Sequence, residues 1–164
     1  MRFFSDNLLD WYYSKTDMFP WRETTDPYKI WVSEIMLQQT QVATVIPFYN
    51  AWIKKFPTLQ DVANASDHDI FKYWEGLGYY KRANNLREAC IQVLNDYKGK
   101  IPSNQKDLIL LKGIGDYTSA AISSIAFNQP VPAIDGNVKR ILSRILCLNN
   151  FSIKSKDKMY IFLS

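Results

Sequence analysis

Thiols and imidazoles are scarce in this chain. Its 164 residues include two cysteines, Cys90 and Cys147, and one histidine, His68, too few and too scattered for a zinc or iron–sulfur ligand set. Both cysteines are expected to be free, buried and reduced. Long hydrophobic runs are also missing. No segment approaches the roughly 18 apolar residues of a membrane span, and Asp6 and Asp10 fall where a signal peptide would need its apolar region. No membrane association and a cytoplasmic location, nucleoid-associated in a bacterial host, are therefore expected. Neither strand-like alternation nor an internal repeat is present, so the chain reads as consecutive helices with short connectors, an all-α fold.

What is present marks a folded protein. Hydrophobic residues make up 47% of the chain and aromatics 15%, well above disordered composition. At this length it can bury one sizeable core, or one core and part of a second. Lys and Arg number 20 against 16 Asp and Glu, a net charge of +4, which suits a polyanionic partner without requiring one.

The patterning predicts a first helix over residues 3–15, an ordered loop at 18–22, and a helix over about 27–46 with Asp26 as N-cap and Pro27 at its first position. Ile30, Trp31, Val32, Ile35, Met36, Leu37, Val42 and Val45 make that helix apolar nearly all round, so it belongs in the centre of the core. Pro47 and Pro57 bracket a helix over about 48–55. Ser66 or Asp67 caps another through Trp74, and Gly76-Leu77-Gly78-Tyr79-Tyr80 interrupts the pattern before a long helix to Tyr97. A helix-hairpin-helix follows at about 104–124, built on Leu111-Lys112-Gly113-Ile114-Gly115-Asp116-Tyr117-Thr118. Its exposed N–H groups and helix N-terminus suit a nucleic-acid phosphate, and glycines at Gly113 and Gly115 permit close approach and positive φ. An ordinary interhelical turn is the alternative. Pro130 and Pro132 then lead, extended, to Asp135 and a basic helix.

Glu34 shares a face with Trp31, Ile35, Gln38, Val42 and Val45, so its carboxyl lies in an apolar stripe. Burial would raise its pKa, as a general acid near neutral pH requires. A buried glutamate satisfied by an arginine or a backbone N–H is the other reading. Asp135 suits an N-cap, and equally an ionised carboxylate stabilising positive charge on a sugar while a second carboxyl protonates the leaving base. Gln38, Gln39, Tyr79 and Tyr80 suit filling the hole left by a flipped base; Tyr80 is expected in the core instead, and for Tyr79, beside two glycines, core packing is the alternative. Lys139, Arg140 and Arg144 could neutralise phosphates or form a solvated basic face.

These segments together resemble the adenine DNA glycosylases of the helix-hairpin-helix glycosylase superfamily. The matching text is Phe19-Pro20-Trp21-Arg22, Asp26 to Val42, Trp74 to Ala83, the hairpin, and Ile134 to Arg140; it runs in order over residues 4–147. The resemblance implies a six-helix barrel at residues 27–134, an N-terminal helix and pocket loop at 1–26 packing on a second lobe, and the start of that lobe, truncated, at 135–164. It also implies removal of adenine opposite 8-oxoguanine or guanine in duplex DNA by a monomer. Glu34 matches the acid that protonates adenine N7, and Asp135 the carboxylate beside the cationic sugar. Trp21, Arg22, Leu37 and Tyr117 match pocket positions, and Gln39 and Tyr79 match residues inserted beside the lesion. Gln38, Gly113, Gly115 and Lys139 complete the expected DNA contacts. Tyr117 stands where bifunctional relatives carry a Schiff-base lysine, which implies a monofunctional enzyme. The family's 4Fe–4S cluster and its four-cysteine loop have no counterpart here, so no cofactor is expected in this chain. A thymine-mismatch glycosylase, a non-catalytic DNA-binding remnant and an unrelated helical interaction module remain as alternatives.

Overall fold

The computed structural model describes residues 2–14 and 19–148, with side chains in the first helix from Asp6 onward. The polar, lysine-containing tail from Asn149 lies outside the described residues. Helices α1 (Arg2–Ser14), α2 (Pro27–Met36), α3 (Val42–Lys55), α4 (Leu59–Asn64), α5 (Asp67–Lys72), α6 (Lys81–Asp96), α7 (Gln105–Leu108), α8 (Asp116–Phe127) and α9 (Gly136–Ile145) follow in order, with a 3₁₀ turn at Pro20–Arg22. Among the described residues there is no strand, so the all-α expectation holds.

Helix α2 starts as its sequence dictates. Asp26 Oδ1 accepts from the backbone N–H of Tyr28 at 2.8 Å and of Lys29 at 3.3 Å, and Pro27 needs no donor at the first position. Ile30, Trp31, Val32, Ser33, Ile35 and Met36 are all buried, which sets α2 in the centre against α3, α6 and α8. The helix expected over 27–46 is, however, two helices. Residues 37–41 break it, with Gln39 at φ 56°, and α3 restarts at Val42 and carries Pro47 inside it. Pro47 therefore does not begin a new helix at 48. It sits in the second turn, where losing one N–H and straining one carbonyl is offset by the burial of Val45, Tyr49 and Trp52.

The cause of the break is tertiary. The Arg82 guanidinium, reaching over from α6, donates from Nη1 to the carbonyls of Ile35 and Met36 at 2.9 Å each, and to that of Gln38. Carbonyls that a continuing helix would satisfy from within are thus capped from outside.

The core is aromatic. Trp31, Trp52 and Trp74 are fully buried, Trp52 meets Trp74 edge-on at 5.4 Å, and the Trp52 indole N–H donates to the Tyr28 hydroxyl, which donates to the Phe56 carbonyl at 2.7 Å. Helix α4, which sequence periodicity did not yield, packs against α6. Its start is a capping box in which Thr58 accepts from the Asp61 N–H and the Asp61 carboxylate accepts from the Thr58 N–H. Beyond α8, Ile134 and Leu142 form a small separate cluster with Val138, Leu146 and Leu148, leaving Ile141 and Ile145 exposed on α9.

Two burial expectations fail. Cys90 is buried in α6, where desolvation pushes its thiol up to about 12, but Cys147 is exposed past the end of α9. Tyr80 is likewise outside the core at 44% exposed, its ring tilted against Phe71 at 6.2 Å. Each lies where its helix's apolar stripe has run out or not yet begun.

Candidate active site and nucleic-acid interface

Glu34 lies in the last turns of α2 and is half-buried. Burial raises its carboxyl pKa above the ordinary value, opposed in part by a hydrogen bond with the Tyr117 side chain of α8. Tyr117 is in turn pushed upward by burial and by the nearby charges of Glu34 and Asp135. Three helices, α2, α8 and the start of α9, therefore bring Glu34, Tyr117 and Asp135 into one electrostatic neighbourhood. The packing of α2 directly on α8 makes this possible.

Asp135 caps α9. Its Oδ1 accepts from the Val138 N–H at 2.7 Å, and Oδ2 accepts from the Asn137 amide at 3.2 Å. A capping aspartate keeps further lone pairs for a cation in front of the helix, so the cap and a role beside a cationic sugar are compatible. Lys139 follows one turn later, half-buried, its backbone N–H bonded to the Asp135 carbonyl at 2.9 Å.

The remaining residues divide by position. Trp21 is buried with its ring edge-on to Tyr49 at 5.3 Å and stacked on Phe19 at 5.5 Å, so it carries the 3₁₀ turn on the core. Arg22 is exposed, its guanidinium over the Phe19 ring at 4.8 Å and the Tyr12 ring of α1 at 5.4 Å. Leu37 closes α2 and packs partly buried on the core. Gln38 donates weakly to the Thr118 hydroxyl at 3.4 Å, tying the 37–41 loop to the residue after Tyr117.

Gln39 and Tyr79 line a groove of about 340 Å³ with Gln38, Tyr80, Arg82 and Asn85, and its lining includes neither carboxyl. Tyr79 is 60% exposed at φ 50°. A larger groove, about 560 Å³, runs past His68, Phe71, Lys72, Glu75 and Tyr80 and includes neither carboxyl; its size is no guide to the chemistry.

The hairpin is contiguous and locally braced. Gly113 has φ +76°, and a Cβ there would sit 2.7 Å from the Asn85 Cβ. Gly115 caps α8 in extended backbone with open space around it. Helix α6 supports the hairpin through Gln92, which accepts from the Lys112 N–H at 3.3 Å and donates to the Leu110 carbonyl at 3.2 Å. A Lys112–Glu88 ion pair at 3.2 Å adds to it and lowers the Glu88 pKa.

Sequence reasoning missed Arg82, although the residue lies inside a quoted motif. Arg82 is 9% exposed, and burial pulls its pKa down from the usual value. The signal was available: Arg82 continues the buried stripe of Ala83, Leu86, Ala89, Cys90 and Val93 along α6, and an arginine in such a stripe needs internal acceptors.

A helical barrel that ends in a glycine hairpin and presents a raised-pKa carboxyl near a second one defines a DNA-repair class. The chain belongs to the HhH-GPD superfamily of base excision DNA repair proteins, whose pattern matches residues 32–163. Within it, the chain is 46% identical to the adenine DNA glycosylase of Rattus norvegicus over 87% of its own length, and 42% identical to that of Buchnera aphidicola subsp. Schizaphis graminum over 86%. It spans 29% and 41% of those two proteins. Among solved structures, a thermostable thymine-DNA glycosylase superposes with a TM-score of 0.89 at 30% identity, covering 99% of this chain and 76% of that one. An endonuclease III bound non-covalently to DNA superposes at 0.83 with 21% identity over 99% of this chain and 76% of its own, a likeness of fold.

The iron–sulfur cluster implied by the resemblance does not fit the residues present. Cys90 is sealed in the core and Cys147 is its only companion thiol, and among the described residues no group of three or more His, Cys, Asp or Glu is placed to hold a metal. Nor, among the described residues, is any helix long and apolar enough to cross a membrane.

Proposed function

We propose that this chain carries the catalytic residues of a monofunctional adenine DNA glycosylase, acting on adenine opposite 8-oxoguanine or guanine in duplex DNA. The observation that carries the reading is the Glu34 carboxyl: half-buried, raised in pKa and hydrogen-bonded to Tyr117, with Asp135 close enough to influence the same tyrosine. Purine departure needs a proton on the base, and a carboxyl whose pKa is raised by burial holds that proton more readily than an ordinary one and supplies it at N7. The Asp135 carboxylate then faces the oxocarbenium-like sugar, where negative charge is worth most. A water completes the hydrolysis. A phenol at Tyr117 is no Schiff-base amine, which supports hydrolysis without strand cleavage.

Arg22, Trp21, Leu37 and Tyr117 would border the adenine, while Gln39 and Tyr79 would enter the duplex at the mispair, with Gln38 behind them. Gly113, Gly115 and Lys139 would meet phosphates. The second lobe of the enzyme would begin near residue 135, where the small Ile134–Leu142 cluster starts. We place the working protein as a monomer in the cytoplasm, on the nucleoid in a bacterium.

The test is incubation with duplexes containing adenine opposite 8-oxoguanine, adenine opposite guanine, or thymine opposite guanine, followed by alkaline cleavage of abasic sites. Strand breaks at adenine support the assignment. The similarity to a thymine-DNA glycosylase favours thymine release as the second reading, against which stands Glu34: thymine offers no N7 to protonate. Binding without release from any duplex would support a non-catalytic DNA-binding protein.

A further inference from the structure

The two segments proposed to enter the duplex come from distant parts of the chain, the loop after α2 and the loop before α6, and share one feature. Each presents an exposed side chain on a left-handed backbone: Gln39 at φ 56° and Tyr79 at φ 50°. Residues with a Cβ rarely adopt this conformation, and they hold it where their surroundings over-determine it.

In both loops the surroundings are the same guanidinium. Arg82 donates to the carbonyl immediately before each left-handed residue, that of Gln38 from Nη1 and that of Gly78 from Nη2 at 3.2 Å. Nη2 also reaches the Thr40 hydroxyl at 3.2 Å, so Gln39 is held on both sides. The face of the guanidinium lies 5.3 Å from the Tyr79 ring and 5.4 Å from the Trp74 ring, so the same group that fixes the Tyr79 backbone also supports its side chain. A lysine could offer its charge at one point; only the planar fork reaches two loops and a ring together.

We propose that Arg82 is the positioning residue that sets the reading of the base opposite the target, by clamping Gln39 and Tyr79 at a fixed separation for simultaneous entry into the duplex. At 9% exposed, it would act through the two loops rather than on the reacting atoms. The inference rests on the adenine glycosylase reading for its substrate, but not for the clamp itself. The two are therefore measured separately.

The experiment compares the full chain with Arg82→Lys and Thr40→Val, the second removing one acceptor without leaving a buried charge unpaired. Amide exchange is followed at Gln38, Thr40 and Leu77, whose N–H groups bond within the two loops, and at Ile114 in the hairpin as the control. The clamp predicts faster exchange in both loops with Ile114 unchanged, more in Arg82→Lys than in Thr40→Val. On duplexes, it predicts that the preference for adenine opposite 8-oxoguanine over a matched adenine–thymine pair falls by roughly tenfold to a hundredfold in Arg82→Lys, while affinity for matched DNA stays within about twofold.

Loops as protected as in the native chain, or loops and hairpin loosened together, would overturn the clamp. So would loosened loops with the native preference intact. If Arg82→Lys fails to fold, Thr40→Val decides by the same readouts. A native chain that shows no preference and releases no adenine would sink the substrate reading, while exchange at the loops would still decide whether Arg82 clamps them.

Discussion

The hairpin and the carboxyl corner are built in opposite ways. Leu111 to Asp116 is a contiguous stretch whose bonds are short-range or run to the neighbouring helices α6 and α7, and the role proposed for its glycine backbone is to present N–H groups to a phosphate, whatever the base sequence. Glu34, Tyr117 and Asp135 come from three helices and meet only when the core closes. For the proposed holding of DNA, chain neighbours would suffice, whereas an unusual pKa requires burial and partners that the whole fold supplies. The two regions touch at Tyr117 and Thr118, where α8 rises from the hairpin into the corner.

If that division is real, substitutions in the corner should remove turnover and spare binding, and substitutions in the hairpin should do the reverse. Among substitutions that spare Glu34, the largest effect is expected for Asp135→Asn, which keeps an oxygen to cap α9 but loses the charge proposed to face the sugar. Adenine release under single turnover should fall by about 10²–10³, with the melting temperature little changed and duplex affinity intact. Weakened binding in this variant would merge the two regions into one.

Tyr117→Phe sharpens the comparison from the shared residue. Its hydrogen bond lowers the Glu34 pKa, so removing it should raise that pKa further and extend the active, protonated range to higher pH. At the same time the carboxyl loses its orientation, which should cost about tenfold in rate at low pH. A pH–rate profile for the two proteins reads both effects. An alkaline limb that moves down would contradict the assigned hydrogen bond.

The hairpin glycines should separate from one another. At Gly113 an added side chain meets both a positive φ and the Asn85 side chain, so Gly113→Val should lower stability by more than about 1 kcal/mol, as thermal unfolding would show, and weaken duplex binding too. Gly115→Val has open space and ordinary backbone; it should leave the melting temperature nearly unchanged and weaken matched and mismatched duplexes alike, with a shallower salt dependence. Unaltered binding in both would reduce the hairpin to a structural turn.

The smallest effect concerns stability at the corner. A carboxyl whose pKa is raised by folding favours the protonated fold, a contribution complete below the ordinary value of 4.5 and lost as pH rises through the folded value. Above that range the native chain holds a charged, half-buried carboxylate. Glu34→Gln should therefore melt higher than the native chain near neutral pH, and the difference should shrink at pH 4. A lower melting point at neutral pH would mean that the ionised form is the one stabilised.

Much of this was legible in the sequence because local rules sufficed. Asp26-Pro27 announced a helix start, Gly113 announced a left-handed turn, and the apolar stripe around Glu34 announced burial of a carboxyl. The Thr58/Asp61 capping box carries the signal for α4, which apolar periodicity alone does not show. The end of α2 was not legible: residues 37–46 keep helical periodicity, and what stops the helix is a guanidinium from α6 that no window around Met36 contains. Resemblance alone implies a pocket position for Tyr117, and its bond to Glu34 depends on α2 packing against α8, which periodicity does not specify.

The most direct test of the central claim is single-turnover adenine release from a duplex with adenine opposite 8-oxoguanine, comparing the native chain with Glu34→Gln at matched occupancy. General acid catalysis by Glu34 predicts a loss of about 10²–10⁴ in rate with the dissociation constant unchanged. Release by Glu34→Gln at the native rate, from DNA bound equally well, would contradict it.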